Sequence, residues 1–479
     1  MDSHQRDLAR GFNWLGGATI IAKIVDFATV LAVLGFLTKQ QVGVGSLVVS
    51  IGMVIESLDG LGTSEALVQA RAVSRLQLDT LFWFVVGAAA VVAGLTMLVA
   101  PGIEAIYGAA GITTYFLAIA VKQPLVGAAL IPLAIMNRDL QYERIAVVHL
   151  CATLAAASTR LGLAVWGAGA WALVGGYSAS GLYILVGACL ASPFLPRPRF
   201  EMRAIRPLLR FGWRAASSNI FEQVFKNVDY LLVGWFYGAS QLAVYRVAFD
   251  VAMEPAMAVG TLVNRTALPV LARVSGVPEL LAQSLQWSWQ RIAILVAPLM
   301  VGLILVAGPL TSLLHDNHGN SYAAAALPLK ILATAALLRI ASQVLYPVLM
   351  GSGRPGTAAR LSATTLLLLS VGILAAGFSV SARHGLVAVS AVWLGVYPLV
   401  LAWGMCYLRR HWHIQARDLI RPFIAPLIGV AAMVSGVEAT GLLIVAHEPA
   451  TRIGIVLVAT MMTYAGLFLH ARLRSHHAA

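Results

Sequence analysis

The stretch FNWLGGATIIAKIVDFATVLAVLGFL, residues 12–37, decides the class of fold. It exceeds the roughly 20 apolar residues that a helix needs to cross a hydrocarbon core of about 30 Å. It is also too long for the apolar core of a secretory signal peptide, and no small-x-small cleavage site precedes a soluble domain. We therefore predict that this stretch is retained as the first membrane-spanning helix.

Comparable apolar runs continue to the end of the chain. Apolar residues make up 59% of the 479 positions and charged residues only 11%, whereas soluble domains carry about a quarter charged residues. The breaks between runs predict an all-α integral membrane protein with about fourteen transmembrane helices. These spans cover residues 12–37, 42–62, 78–100, 112–136, 144–166, 168–194, 211–236, 241–272, 285–312, 322–350, 357–379, 385–407, 419–446 and 451–472.

The loop charges alternate from one side of the membrane to the other. Most loop arginines fall on the side of the N-terminus, whereas the opposite loops contain only Lys39, Arg383 and Arg452. Because cytoplasmic loops collect Lys and Arg, both termini are predicted to be cytoplasmic. The same rule accounts for the net charge of +13, so we expect no nucleic-acid partner.

A basic, proline-containing loop divides the chain into two similar parts. Phe12-x-Trp14 opens the first span and Phe211-x-Trp213 opens the seventh, directly after this loop. Six helices per repeat give two bundles of the same orientation, a parallel pseudo-twofold repeat. We predict an N-terminal six-helix lobe at 1–195, a cytoplasmic linker at 196–210, a second six-helix lobe at 211–408, and two C-terminal helices with a tail at 409–479.

Several cations lie inside the apolar spans, where each costs about 3 kcal/mol unless it meets water or a counter-ion. Those far from the helix ends are Lys23, Lys122, Lys226, Lys330 and Arg339. Arg214 and Arg246 lie closer to helix ends, where long side chains also reach the interface as plain anchors. Together these seven residues are the predicted substrate-binding set of a cationic cavity.

Acidic residues accompany the cations at helical spacing. Lys23 and Asp26 are three residues apart, Glu222 and Asp229 flank Lys226, and Arg246, Asp250 and Glu254 follow each other at intervals of four. Such pairs share a helix face. Two interpretations stay open: the acids hold helices together, or Asp26, Glu222, Asp229, Asp250 and Glu254 bind a coupling ion, H⁺ or Na⁺. Cations outnumber acids within the spans, which favours an anionic cargo.

Motifs for chemistry are not found in the sequence. There is no Walker P-loop, no HExxH zinc motif, and no long exterior loop that would hold a catalytic base over an acceptor. We therefore expect no enzymatic activity, no resident cofactor and no metal. An integral-membrane glycan polymerase or ligase is the alternative from another class, and the short exterior loops argue against it.

The stretch LGFLTKQQVGVGSLVVSIGMVIESLDGLGTSEALVQ, residues 34–69, resembles the polysaccharide-transporter branch of the multidrug/oligosaccharidyl-lipid/polysaccharide exporter superfamily. The matching positions are Thr38, Gly43, Asp59, Gly60, Gly62, Asn227, Asp229, Pro255 and Pro269, with Ala243 where the family usually has Gly. The resemblance implies alternating-access flipping of an undecaprenyl-diphosphate-linked oligosaccharide in the inner membrane of a bacterium, for lipopolysaccharide or exopolysaccharide synthesis. It also implies membrane lipids, a glycan polymerase and chain-length machinery as partners. A peptidoglycan-precursor flippase and a cation-coupled multidrug exporter are the alternatives within the superfamily.

Overall fold

The computed structural model describes residues 3–70, 72–274, 277–352, 354–412, 416–443 and 448–476. This part of the chain is helical throughout and has no β-strand, only an isolated bridge between His315 and Ser321. The α-helices are α1 (Ser3–Leu34), α2 (Lys39–Glu56), α3 (Thr63–Gln69), α4 (Arg75–Tyr107), α5 (Ile112–Arg138), α6 (Tyr142–Val165), α7 (Trp171–Ala191), α8 (Met202–Val274), α9 (Pro278–Leu313), α10 (Ala326–Gln343), α11 (Leu345–Gly351), α12 (Pro355–Ser379), α13 (Ala382–Trp412), α14 (Ala416–Leu443) and α15 (Pro449–His476).

Twelve helical stretches of the described chain are long and apolar enough to cross a membrane. The two remaining predicted spans, 211–236 and 241–272, both lie in the long helix α8. This helix breaks at Gly238, whose φ of 79° and ψ of 173° are not helical. The predicted class, an all-helical membrane protein of about fourteen spans, is therefore confirmed. Helix α8 begins at Met202, so the second half of the predicted linker is already helical.

Polar caps fix where two of the early helices begin. Thr38 accepts a hydrogen bond from the Gln41 backbone N–H at 3.1 Å, and the Gln41 side chain accepts one from the Thr38 N–H at 2.9 Å. Ser74 and Gln77 form the same capping box at the start of α4. Each box satisfies two backbone donors that a helix start leaves without partners. Residues 34–41 thus turn sharply between two membrane-spanning helices.

The segment predicted as a linker is held against the start of α4. Trp83 Nε1 donates to the Arg197 carbonyl at 2.9 Å, and Gln77 Nε2 donates to the Ala204 carbonyl at 3.0 Å. The fully buried Asp79 accepts from the Arg197 backbone N–H at 3.2 Å and pairs with Arg75 at 3.3 Å. These contacts give the proline-containing segment a defined path, so it is an ordered part of the fold.

The chain divides into two compact units, residues 1–243 with 316–318, and residues 244–315 with 319–479. In the first unit α4 packs on α5, α6 on α7, α1 on α6, and α5 on α7. In the second unit α10 packs on α9 and α13, and α14 and α15 pack on α9 and on each other. The predicted lobes at 1–195 and 211–408 were drawn from loop charges and the repeat, and their boundaries stay a prediction.

One helix crossing in the first unit leaves no room for a side chain. A Cβ added to Gly43 in α2 would lie 1.7 Å from the Ala239 carbonyl oxygen in α8. Small residues at such crossings let helix backbones approach within a membrane, where packing rather than the hydrophobic effect drives association. Gly43 is one of the positions that match the family motif above. This close contact explains why the position requires a glycine.

We predict that Gly43→Ala lowers the melting temperature of the purified protein by several degrees, because forcing a methyl group into a packed contact costs about 1–3 kcal/mol. Gly94→Ala in α4 is the matched control, since an added Cβ there meets nothing within 4 Å. The control should melt at or slightly above the wild-type temperature, because alanine favours helix by about 1 kcal/mol. Equal melting of both variants would contradict the described crossing.

Candidate functional site

The first unit contains a break in the second predicted span where polar side chains gather. Helix α2 ends at Glu56, and a 3-10 turn at Asp59–Gly62 leads into α3. Gly60, Leu61 and Gly62 all have positive φ, at 72°, 45° and 72°. This left-handed run interrupts the helix, and Glu56 and Asp59 beside it lie at the edge of a cavity.

Glu56 is joined to two side chains from other helices. Lys122 of α5 donates to Glu56 Oε2 at 2.6 Å, and the Tyr177 hydroxyl of α7 donates to the same oxygen. The Lys122 ammonium also lies 3.3 Å from the centre of the Tyr177 ring. Lys122 is only 3% exposed, so the carboxylate and the ring replace the water that the ammonium has lost. The contacts of Glu56 with Lys122 and Tyr177 hold α2, α5 and α7 together.

Asp59 faces the next residue of α5. With the amide nitrogen of Gln123 turned toward it, Nε2 lies 2.8 Å from Asp59 Oδ1 and also contacts Oδ2. Gln123 is buried, so its amide is committed to this contact. Thr63 is fully buried as well, and its hydroxyl has no hydrogen-bond partner among the described residues.

A cavity of about 560 Å³, wholly within the first unit, is lined by Glu56, Asp59, Thr63, Lys122 and Tyr177 among others. Its charged lining consists of the acids Glu56, Asp59, Glu65 and Glu222 and the base Lys122. Asn219 of α8 donates to Glu65 at 3.0 Å across it. Of the predicted substrate-binding cations whose side chains the structure describes, Lys122 alone lies in this lining. Acids therefore outnumber bases among the described side chains of the cavity.

Lys226 lies one helical turn beyond the cavity on α8. It pairs with Glu222 at 2.6 Å, and the two side chains remain 41% and 60% exposed. Asn227 and Asp229 on the following turn are buried, and Asn227 donates to the Gln223 carbonyl at 2.9 Å. The predicted grouping of Glu222 with Lys226 is present, whereas Asp229 faces the protein interior.

The first helix contributes Lys23 and Asp26. Both are exposed, and Asp26 accepts from Arg160 of α6 at 2.8 Å. Arg160 is 9% exposed, so this bond joins α1 to α6 and gives Arg160 a counter-ion inside the fold. The side chain of Arg214, another member of the predicted set, lies outside the described residues.

In the second unit Arg339 of α10 is enclosed by aromatic rings. Its guanidinium carbon lies 5.2 Å from the Trp393 ring centre and 6.0 Å from that of Tyr397. Trp393 donates to the Tyr245 hydroxyl at 3.0 Å and packs edge-on against Phe249. Arg339 is only 5% exposed, and cation–π contact is worth most where a cation is desolvated, about 2 kcal/mol.

The remaining predicted residues also lie in the second unit. Arg246 pairs with Asp250 at 3.1 Å along α8, as the spacing predicted, and Glu254 one turn later is half-buried. Lys330 of α10 is exposed. A groove of about 510 Å³ along α14 and α15 has an apolar lining and offers an anion no charged group.

Sequence reasoning missed several members of these clusters. It did not assign Gln123, Tyr177 and Thr63 to the first cluster, or Trp393 and Tyr397 to the second. One signal was available, because Lys122 and Gln123 are adjacent polar residues in an otherwise apolar span. Within the described residues, no group of three or more His, Cys, Asp or Glu side chains could hold a metal ion. The substrate-binding and ion-coupling roles given to individual residues stay predictions.

A family model described as "Polysaccharide biosynthesis protein" matches residues 30–325, more than half of the chain. The lipopolysaccharide biosynthesis protein WzxC of Escherichia coli (strain K12) is 23% identical over 72% of this chain and 70% of its own length. The succinoglycan biosynthesis transport protein ExoT of Rhizobium meliloti (strain 1021) is 23% identical over 69% of this chain and 66% of its own.

Two solved structures establish the fold. The lipid II flippase MurJ in an inward closed conformation superimposes with a TM-score of 0.75, over 96% of this chain and 99% of that chain, at 12% identity. An inward-facing MATE family multidrug transporter of the MOP superfamily gives a TM-score of 0.62 over 81% and 94%, at 13% identity. At these identities the likeness concerns the arrangement of helices alone.

The buried Lys122 and its partner Glu56 should be strongly coupled in a double-mutant cycle. We predict that Glu56→Gln destabilises the protein by about 3–5 kcal/mol, because it leaves a buried ammonium without its carboxylate. Adding Lys122→Met should restore most of the lost stability. The free energy of unfolding is measured by thermal or denaturant titration for the wild type, the two single variants and the double variant.

The exposed pair Glu222–Lys226 provides the matched control. Solvent screens it, so its cycle with Glu222→Gln and Lys226→Met should give a coupling of only about 0.2–0.5 kcal/mol. Coupling energies of the same size for both pairs would show that Glu56 and Lys122 do not meet in a desolvated environment.

Proposed function

The chain belongs to the polysaccharide biosynthesis protein family, and from this premise we propose that it flips a lipid-linked anionic oligosaccharide from the cytoplasmic to the periplasmic leaflet. It acts by alternating access and supplies lipopolysaccharide or exopolysaccharide synthesis. The lipid carrier is undecaprenyl diphosphate, which carries negative charge at any physiological pH. The chain moves this molecule without changing it, so its role is transport rather than catalysis.

The names of the relatives support this proposal. ExoT is named a succinoglycan biosynthesis transport protein, and WzxC a lipopolysaccharide biosynthesis protein. A further relative, TuaB of Bacillus subtilis (strain 168), is named for teichuronic acid biosynthesis and is 26% identical over 40% of this chain. These names cover different glycans and share polysaccharide biosynthesis, and one of them names transport.

The observation that carries the proposal is the retention of cations within membrane-spanning helices. A membrane protein keeps such groups where they pair with acids or serve a polar cargo, since each is costly in lipid. Among the described residues Lys226 pairs with Glu222 of its own helix, and it keeps 41% of its side chain exposed beside the cavity lining of α8. In the proposed cycle Lys226 exchanges Glu222 for a phosphate oxygen of the cargo, and its exposure supports this role.

The direction of transport suits the membrane potential. Moving one negative charge outward, away from a negative cell interior, is favourable by about 2.3 kcal/mol per 100 mV. We place the protein in the inner membrane of a bacterium with both termini in the cytoplasm, as the loop arginines indicate. A glycan polymerase and the chain-length machinery are its proposed partners on the periplasmic side.

The peptidoglycan-precursor flippase is the second candidate, because the MurJ fold covers nearly all of this chain. Both candidates move a polyprenyl diphosphate and differ in the attached sugars. The family match favours the polysaccharide repeat unit. The third candidate, a cation-coupled drug exporter, has the same fold. That function does not explain an exposed cation such as Lys226.

The test is translocation by the purified protein in liposomes, with a fluorescent polyprenyl-diphosphate oligosaccharide whose label is quenched only in the outer leaflet. We predict that Lys226→Met and Arg339→Met slow translocation by roughly a hundredfold, the loss of about 3 kcal/mol expected when one charge-assisted phosphate contact is removed. Lys226→Arg, which keeps the charge, should stay near the wild-type rate.

Arg199→Ala is the control for a general loss of positive charge, because Arg199 is exposed in the predicted cytoplasmic linker. We expect this variant to remain active. Melting temperatures of all variants separate misfolding from loss of transport. Wild-type rates in both Lys226→Met and Arg339→Met would contradict the cationic binding of the cargo. Faster movement of the peptidoglycan precursor than of the oligosaccharide would favour the second candidate.

A further inference from the structure

The first turns of α8 carry a row of exposed arginines. Residues 195–210 contain five arginines and one acid, Glu201. Three of these arginines, Arg203, Arg206 and Arg210, lie in the first three turns of the helix. At 3.6 residues per turn they fall within about 60° of one another around its axis, and all three are exposed. These three residues form the basic face of α8.

The opposite side of the same turns is fixed in the protein core. Ile205 is fully buried in an apolar cluster, and Leu208 and Leu209 pack against that cluster. Gln77 of α4 also donates to the Ala204 carbonyl at 3.0 Å. These contacts fix the rotation of the helix about its axis, so the basic face is directed away from the core before any partner binds. A surface with a fixed backbone loses less conformational freedom on binding.

The arginines of the basic face have no structural partner in the described part of the chain. None of the three makes a hydrogen bond or an ion pair with another described residue. By contrast, Arg75 of α4 pairs with Asp79 at 3.3 Å, and Arg144 of α6 donates to the Ala191 carbonyl at 3.3 Å. All these arginines lie at the predicted cytoplasmic ends of their helices, so that position alone does not leave an arginine unused. The basic face therefore offers its cations to a partner outside the fold.

Large apolar side chains are exposed beside the basic face. Met202 and Trp213 of α8 are 46% and 60% exposed, and Phe200 just before the helix is 60% exposed. Around the helix axis Met202 and Trp213 lie within about 40° of Arg206. Tryptophan is enriched where a helix passes from the headgroups to the acyl chains, and the predicted seventh span begins here. Cations beside exposed apolar side chains are typical of a surface that meets a lipid interface.

The shape of the basic face favours several lipid headgroups over one compact anion. Arg203 and Arg210 are about 10 Å apart along the helix at 1.5 Å per residue. A single diphosphate is shorter, because its two phosphorus atoms share one oxygen, so it meets only part of the row. Neighbouring phospholipids of one leaflet each bring a phosphate and cover the whole row. An acidic soluble protein would match the arginines, but it gives no reason for the exposed Trp213 at this depth.

We propose that the basic face of α8, with its apolar flank of Phe200, Met202 and Trp213, is a binding surface for anionic phospholipids of the predicted cytoplasmic leaflet. The arginines donate to the headgroup phosphates, and the apolar flank contacts the first methylenes of the acyl chains. Basic segments beside a membrane-spanning helix recognise anionic lipids in this way. The bound lipids hold the start of α8 at a fixed depth in the membrane. The inference goes beyond the proposed function and does not depend on which cargo the protein moves.

The first measurement titrates purified, delipidated full-length protein with phosphatidylglycerol or with zwitterionic phosphatidylcholine, and native mass spectrometry counts the bound lipids. We expect the wild type to bind phosphatidylglycerol more tightly than phosphatidylcholine. In Arg203→Gln/Arg206→Gln/Arg210→Gln the overall binding constant for phosphatidylglycerol should fall roughly a hundredfold, because each arginine near an anionic surface contributes about fivefold, or about 1 kcal/mol. The corresponding triple lysine variant keeps the charge and should retain most of the preference.

The matched control removes three exposed arginines elsewhere on the same predicted side of the membrane, Arg360 of α12 and Arg409 and Arg410 of α13. Arg360→Gln/Arg409→Gln/Arg410→Gln changes the net charge by the same amount and should keep the preference for phosphatidylglycerol. Equal loss of the preference in both triple variants would show attraction to positive charge in general and would overturn the proposal. An unchanged preference in the α8 variant would overturn it as well.

The second measurement compares melting temperatures in liposomes of phosphatidylcholine with and without phosphatidylglycerol. A ligand that binds only the folded protein stabilises it, so phosphatidylglycerol should raise the melting temperature of the wild type and the control variant but not of the α8 variant. Similar melting of all three in phosphatidylcholine alone shows that the variants fold. If the α8 variant melts lower there, its three single variants replace it, each expected to bind phosphatidylglycerol about fivefold more weakly. The same rise from inorganic phosphate, or from a polyprenyl diphosphate in phosphatidylcholine liposomes, would overturn the assignment to phospholipid.

Discussion

The cost of a charge inside a membrane is the constraint on which the rest of this structure depends. Each buried cation described in the first unit meets a carboxylate from another helix: Lys122 meets Glu56, and Arg160 meets Asp26. In the second unit Arg339 is enclosed by aromatic faces. Removing one partner of such a pair costs far more than the pair contributes. These contacts therefore fix which helices pack together and where polar groups remain.

The same constraint gives the family motif a physical meaning. Thr38 caps α2, Gly43 lets α8 approach, and Gly60 and Gly62 form the left-handed turn that Asp59 precedes. None of these positions performs chemistry alone. Together they build a break in a membrane-spanning helix, a feature that membrane proteins tolerate where it is buried or lines a cavity. The motif thus places a carboxyl group beside a cavity and next to a close backbone contact with α8.

The fold was largely predictable from the sequence, and the site was not. Apolar run lengths and loop charges predicted the spans, and the resemblance to polysaccharide transporters, carried by residues 34–69, is confirmed. Spacing along one helix predicted Glu222 with Lys226 and Arg246 with Asp250. It could not predict that Asp26 meets Arg160 or that Glu56 meets Lys122, because partners on different helices depend on packing. The helix break at Gly60–Gly62 likewise depends on backbone angles that apolar periodicity does not encode.

The central claim concerns the leaflet in which a lipid-linked oligosaccharide is found. The most direct measurement is made in cells of the source bacterium that lack this gene, by extracting lipid-linked oligosaccharides and probing their exposure to a periplasmic glycosidase. The account predicts that the oligosaccharides accumulate in a form protected from the glycosidase, while surface polysaccharide falls, and that restoring the gene reverses both effects. Full glycosidase access and normal surface polysaccharide in the deletion strain would contradict it.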